Sequence, residues 1–146
     1  MSGIAYRAKA SWHYPERWLA AWHEQLTLRP EHLLRWRVRV AENAGTVAGF
    51  AAVDVDAHPA GLEHCWVDPP AMGQGVGRAL VLDGAGLAAQ AGHHTLEVES
   101  DPHAVGFYRR LGGHVVGSVH APVLGRPRQL PLVRFTLPMA SPGRQA

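Results

Sequence analysis

The chain has 146 residues, a formal net charge of +2 and a single cysteine, Cys65. This length suits one domain with one hydrophobic core, which we place at residues 1–140, and we expect the tail at 141–146 to be disordered. One cysteine excludes an internal disulfide, no apolar stretch reaches the length of a membrane span, and the basic residues are scattered, so we predict a cytoplasmic protein that binds neither membrane nor nucleic acid.

The hydrophobic pattern predicts helices and strands that alternate along most of the chain. Tryptophans 12, 18, 22 and 36 are expected mainly in the core, although one or two could line an acceptor pocket. We predict a strand at 4–8, helices at 14–26 and 28–34, strands at 35–42, 47–55 and 61–67, a helix at 78–90, a strand at 95–99, a helix at 104–111, and strands at 114–119 and 130–137. The resulting fold class is α/β, a three-layer domain whose mixed, mostly antiparallel sheet is flanked by helices.

A glycine-rich loop between the strand at 61–67 and the helix at 78–90 is the most informative segment. Gly73, Gly75 and Gly77 alternate with other residues, so their backbone N–H groups can point into one concavity at a helix N-terminus. Such a loop suits a pyrophosphate. It is not a P-loop, because Arg78 and Ala79 stand where Lys and Ser or Thr are required, and its spacing does not fit the dinucleotide fingerprint.

Two motifs resemble those of the GCN5-related N-acetyltransferase (GNAT) superfamily. Met72-Gly73-Gln74-Gly75-Val76-Gly77 is similar to the family's acetyl-CoA loop, with Met72 where Gln or Arg is usual. The segment 101–112 is similar to the later motif Asn-x-x-Ala-x-x-Phe-Tyr-x-x-x-Gly, with Asp101 in place of Asn. The motifs follow each other in the family's order, with one helix and one strand between them.

The resemblance implies an acetyl-CoA-dependent N-acetyltransferase of the GNAT fold that acts by direct transfer. It places the backbone of Trp66 and Val67 along the pantetheine arm, with the Val67 N–H facing the thioester oxygen, in a gap between two splayed strands. Asp101 is expected to cap the next helix and to contact the cofactor less well than Asn would. The implied cofactor-binding residues are Trp66, Val67, Met72, Gly73, Gln74, Gly75, Val76, Gly77, Arg78, Asp101, Phe107 and Tyr108.

Two residues are the candidates for proton transfer. A phenol can protonate a departing thiolate, which favours Tyr108 as general acid, although it could simply pack. A carboxylate or imidazole could take the proton of the amine, and Glu99 is our first choice over Glu63, His64 and Glu97. Cys65 is a poor acyl carrier because no activating base is evident beside it.

Other functions remain open at this stage. The departures at Met72 and Asp101 leave room for a non-catalytic acyl-CoA-binding or regulatory module on the same fold. Gly84-x-Gly86 after an apolar run could belong to a dinucleotide-binding turn if that run were a strand. Ten histidines show no metal-ligand spacing, so no metal site is predicted. The acceptor, a small-molecule or peptide amine, is not identified by the sequence, and arginines 126 and 128 could contact an acidic one. A homodimer is possible by analogy with the family.

Overall fold

The computed structural model describes residues 1–139, so the predicted tail at 141–146 lies outside the described residues. Thirteen elements follow one another. They are α1 (Ser2–Ala10), α2 (Glu16–Ala21), α3 (His23–Leu26), α4 (Pro30–Arg35), β1 (Arg37–Asn43), β2 (Thr46–Asp54), β3 (Ala60–Val67), a 3-10 turn (Pro69–Ala71), α5 (Val76–Gln90), β4 (Thr95–Glu99), α6 (Val105–Arg110), β5 (His114–His120) and β6 (Gln129–Thr136). Every predicted strand from 35–42 onward is present, with bounds that differ by at most two residues.

A six-stranded sheet in the order β1-β2-β3-β4-β6-β5 forms the middle layer. The β3–β4 pair is parallel and the other four pairs are antiparallel, which confirms the predicted mixed, mostly antiparallel α/β fold. One core lies between the sheet and α5 with α6, around Val53, Val81 and Phe135. The other lies between the sheet and α1–α3, around Phe50 and Trp22. The helices therefore cover both faces.

The N-terminal strand predicted at 4–8 is wrong, because residues 2–10 form helix α1. Ile4, Ala5 and Ala8 are the buried apolar residues of this segment, at the i, i+1, i+4 spacing of one helical face. A five-residue segment is too short for its periodicity to distinguish a strand from a helix. Here the alanines and the tertiary contacts decide for the helix.

Two further local predictions need correction. The helix predicted at 14–26 is divided into α2 and α3, with Trp22 between them at ψ −1°. Gly84 and Gly86 lie inside helix α5, so the strand required by the dinucleotide-binding interpretation does not exist. Gly84 faces the sheet, since a Cβ there would lie 3.1 Å from Cγ2 of Val53.

A bulge in β3 positions the site. Ala52 pairs with His64 and Val53 pairs with Leu62, so Glu63 has no counterpart on β2. On the other side, β3 pairs with β4 only through Ala60 and Gly61. Beyond Gly61 the two strands separate within the described part of the sheet. The splayed gap implied by the family resemblance is therefore present.

Candidate active site

The glycine loop forms the N-terminus of α5. Gly73 has φ +79° and Gly75, the N-cap residue, has φ +82°, a left-handed conformation that other residues adopt only with strain. No side chain caps this 15-residue helix. Its first N–H groups are therefore available to an anionic ligand, and the helix dipole favours negative charge there.

Gly77 brings the first turn of α5 close to α6. A Cβ at this position would lie 3.0 Å from Cζ of Phe107 and 3.4 Å from Cγ2 of Val67. A larger side chain would push the two helices apart and displace the end of β3. The glycine thus fixes the position of Phe107, and with it the adjacent Tyr108, relative to the loop.

Most of the predicted cofactor-binding residues line one cavity of about 390 Å³, which we call the glycine-loop cavity. It begins at the glycine loop and continues past the free end of β3 to α6. Its lining includes Trp66, Val67, Met72, Gly73, Gly75, Val76, Gly77, Arg78, Phe107 and Tyr108. Gln74, Asp101 and Glu99 do not line it. The side chain of Gln74 instead donates to the carbonyl oxygen of Pro70 at 3.3 Å.

Tyr108 lies deep in this cavity next to Cys65, with the Tyr108 side chain almost fully buried. Burial raises the pKa of Tyr108 well above its usual range, and Cys65 raises it further. Burial also raises the pKa of the Cys65 thiol to about 12, although a hydrogen bond with Tyr108 acts in the opposite direction. Both groups therefore stay protonated at neutral pH. Cys65 is then a poor nucleophile, whereas Tyr108 keeps a proton to donate.

Asp101 does not reach the cavity, because protein groups occupy both of its carboxylate oxygens. Oδ2 accepts hydrogen bonds from Lys9 Nζ at 2.7 Å and from Arg128 Nη2 at 3.1 Å. Oδ1 accepts from the backbone N–H of His103 at 2.8 Å and contacts the ring Nδ1 of His103 at 2.9 Å. The Tyr14 hydroxyl donates to both oxygens. We call these five residues the Asp101 cluster.

The Asp101 cluster concentrates charge in a buried place. Burial alone would raise the pKa of Asp101, but the ammonium of Lys9 and the hydrogen bonds from His103 lower it to about 2. Lys9 lies against four aromatic rings, and its Nζ is 4.3 Å from the ring centroid of Trp22. Arg128, a candidate contact for an acidic acceptor, is instead part of this cluster. Asp101 acts as a cap only for the turn before α6, which begins at Val105.

Glu99 lies on the other face of the sheet, in a cavity of about 470 Å³ that we call the acidic cavity. Its lining comes from α3, the loop before α4, α4 and the residue after it, the middle of β3 and the end of β4. The residues are Glu24, Gln25, Arg29, His32, Trp36, Glu63, His64 and Glu99. Glu97, the fourth candidate base, is paired with Arg134 on β6.

Strand alternation places the two cavities on opposite faces of β3. Cys65 packs with the α5–α6 core, and its neighbour His64 points to the opposite face, against Phe50 and Trp36. Ligands in the two cavities could therefore approach each other through the β3–β4 gap. Among residues 1–139, no three His, Cys, Asp or Glu side chains are arranged to hold a metal ion. Within the same residues, no helix has the length and apolar character needed to cross a membrane.

Comparison with known proteins decides the family. The model described as the acetyltransferase (GNAT) family matches residues 5–113, which is more than half of the chain. The chain belongs to the GNAT acetyltransferase family. The match includes the glycine loop and the start of α6, so it covers both motifs on which the resemblance rests.

Individual relatives show how far the similarity extends. The chain is 35% identical over 77 residues to the peptidyl-lysine N-acetyltransferase YjaB of Salmonella typhimurium, a match that covers 53% of this chain and only half of YjaB. A GCN5-related N-acetyltransferase from Rhodopseudomonas palustris has a similar fold, with TM-score 0.79, 20% identity, and coverage of 93% of this chain and 87% of that one. YncA of Salmonella typhimurium, solved with its cofactor acetyl-CoA, has TM-score 0.65, 20% identity and coverage of 99% and 91%.

Several residues of this GNAT site were missed by sequence reasoning. Ala8, Trp12, His103 and Arg110 also line the glycine-loop cavity. Helical spacing could have identified Arg110, which follows Phe107 by three residues on α6. His103 lies inside the second motif, and Trp12 was expected mainly in the core, with a place in an acceptor pocket as the alternative. Its ring reaches the cavity because it stacks on His103, with centroids 5.3 Å apart and planes within 10°.

Proposed function

We propose that this GNAT protein is an N-acetyltransferase that moves an acetyl group from acetyl-CoA to a primary amine by direct transfer. The observation that carries the proposal is the continuity of one cavity from the glycine loop to Tyr108 at the open gap beside β3. The acetyl-CoA bound in the structure of YncA supports the choice of donor.

The glycine-loop cavity fits the donor by its chemistry. The N-terminus of α5 and the guanidinium groups of Arg78 and Arg110 suit a pyrophosphate. The pantetheine arm would lie along β3 at Trp66 and Val67, where β4 has turned away. Acetyl-CoA supplies a thioester whose carbon–sulfur bond breaks as the amine nitrogen bonds to the carbonyl carbon.

Two protons must move in this reaction, and the chain provides a group for each. An ammonium acceptor first loses a proton to a carboxylate of the acidic cavity, for which we keep Glu99 as the first choice. Tyr108 gives its hydroxyl proton to the departing sulfur and recovers one from the amine nitrogen as the amide forms. Because its pKa is raised, Tyr108 is protonated when the reaction starts and acts chiefly by donating to sulfur as negative charge develops there.

Ligand binding tests the proposal first. Acetyl-CoA and CoA should each raise the melting temperature, because a ligand at 100 times its Kd adds about 2.7 kcal/mol to the free energy of unfolding. NAD should leave it unchanged. No shift with either CoA species would contradict the proposal. A shift without turnover across a broad panel of amines would favour the non-catalytic acyl-CoA-binding module.

A Tyr108→Phe substitution tests the general acid. We expect kcat to fall about 100-fold, as is usual when a proton-transfer group is lost, while the Kd for acetyl-CoA stays within about twofold. Tyr6→Phe is the matched control, because Tyr6 is exposed on α1 and lies outside the cavity. Equal turnover by Tyr108→Phe and the control would remove Tyr108 from the mechanism.

A further inference from the structure

The acidic cavity contains negative charge that the protein does not neutralise. Glu24 is paired with Arg29 at 2.8 Å. Glu63 and Glu99 make no ion pair with a cation among the described residues. Burial raises the pKa of Glu63, Asp54 and Glu99 raise it further, and Arg35 offsets only part of the effect. Two carboxylates thus face one opening without a bound partner.

A second, independent observation that points to a ligand in this cavity concerns the side chain of His64. Its side chain is about nine-tenths buried and lines the cavity. Nδ1 accepts a hydrogen bond from the indole N–H of Trp66 at 2.9 Å. Burial lowers the pKa of His64 to about 4, so the ring is neutral at pH 7 and its proton must be on Nε2. No described residue accepts from this N–H, and the atom stays accessible although the rest of the side chain is buried, so a ligand in the cavity can accept from it.

The neighbouring surface is suited to a carbon chain. A second cavity, of about 450 Å³, also has Glu63 and Glu99 in its lining and continues along apolar side chains that include Leu62, Leu130 and Leu132. The two carboxylates therefore lie between a polar compartment with an unpaired N–H donor and an apolar wall. A molecule that spans both compartments would place a cationic group beside these carboxylates and its methylene groups along the apolar wall.

The charge count extends the proposed function to a class of acceptor. The reacting amine has to be neutral when it attacks, so the carboxylate that accepts its proton no longer needs a cation. The other carboxylate stays ionised and is left to pair with a cation from the ligand. We infer that the acidic cavity binds a diamino acceptor, which carries a second ammonium group besides the reacting amine and an oxygen that accepts a hydrogen bond from His64. The inference rests on the proposed acetyl transfer.

Four acceptors of similar length test the second ammonium group and the accepting oxygen separately. Lysinamide has two ammonium groups and a carbonyl oxygen, 1,5-diaminopentane has only the two ammonium groups, Nα-acetyl-lysinamide has one ammonium group and carbonyl oxygens, and 1-aminopentane has one ammonium group alone. With saturating acetyl-CoA, we expect kcat/KM to be about tenfold higher for each diamine than for its monoamine counterpart. Lysinamide should also exceed 1,5-diaminopentane by several-fold.

Glu63→Gln is the decisive variant because it removes one charge and keeps the shape of the side chain. The diamine preference should fall to within about threefold, whereas Glu42→Gln, an exposed carboxylate on β1 outside the cavity, should retain it. His64→Phe should abolish the advantage of the carbonyl oxygen and leave the charge preference. Melting curves of all the variants verify that each is folded.

The results distinguish failure of this inference from failure of the proposed function. Equal kcat/KM for diamines and monoamines, or a preference for Nα-acetyl-lysinamide over lysinamide, would overturn the diamino acceptor and leave acetyl transfer intact. A diamine preference that survives in Glu63→Gln would overturn the assignment to this cavity. If no amine releases CoA although acetyl-CoA binds, the transferase proposal fails and the inference fails with it.

Discussion

The Asp101 cluster and the acidic cavity differ in the partners that the protein provides for their carboxylates. Asp101 is buried, and two cations, a hydroxyl and the backbone N–H of His103 contact it. Glu63 and Glu99 are more accessible and have no cationic partner among the described residues. A carboxylate whose partners all come from the protein connects the elements that carry those partners. Carboxylates without such partners are available to a cationic ligand. The contrast distinguishes the scaffold from the site.

The largest effect expected from this contrast is the loss of Asp101. Asp101→Ala leaves Lys9 and Arg128 buried without an anion, which should lower the free energy of unfolding by about 3–5 kcal/mol. Urea unfolding measures this. Lys9→Met should cost less, because Arg128 still neutralises the carboxylate. Asp83→Asn, at a surface pair with Arg39, is the control and should change stability by under about 1 kcal/mol. A similar cost for Asp101→Ala and this control would show that the cluster has no structural role.

As the pH decreases, protonation linked to His64 should lower the free energy of unfolding at a higher pH than protonation of Asp101 does. The pKa of His64 is about 4 in the folded protein, below the usual value of 6.5, so between these pH values the unfolded chain binds a proton that the folded chain does not. Stability must then fall as the pH decreases from 6.5 to 4, by up to about 3 kcal/mol. Asp101, with a pKa of about 2, loses its contribution only below about pH 4.

Urea unfolding of the wild type and of His64→Gln at pH 7, 5.5 and 4.5 measures this pH dependence. The variant should lose most of the slope in that range, and Gln can still accept the hydrogen bond from Trp66. If both proteins had the same slope, His64 would not be the group responsible.

The smallest expected effect is an increase in the free energy of unfolding. Glu63→Gln relieves repulsion from Glu99 and Asp54, so it should raise the free energy of unfolding, by no more than about 0.5 kcal/mol because solvent screens a partly exposed group. A precise comparison of melting temperatures at low salt would detect it, and 1 M salt should reduce the gain. Destabilisation by Glu63→Gln would mean that this carboxylate has a structural partner and belongs with Asp101 rather than with a binding site.

The sequence predicted the parts of the site that depend on local structure. The positive φ angles of Gly73 and Gly75 and the helix that follows belong to one short segment, and the family motifs made it recognisable. The contacts of Asp101 could not be predicted in the same way, since Lys9 is 92 residues away in sequence. The acidic cavity similarly combines residues of helices α3 and α4 with the middle of β3 and the end of β4. Helix α1 was missed because the segment interpreted as a strand, residues 4–8, is too short to show a period.

The position of Lys9 has a practical consequence for any assay of amine acetylation. It is the only lysine in the chain, and its ammonium group is enclosed by Asp101 and aromatic rings with 11% of the side chain exposed. In the folded state the protein therefore offers reactive thioesters and amine-directed labels almost no lysine of its own. The rate of Lys9 acylation, followed by mass spectrometry, would therefore report how often helix α1 detaches from the sheet by local unfolding.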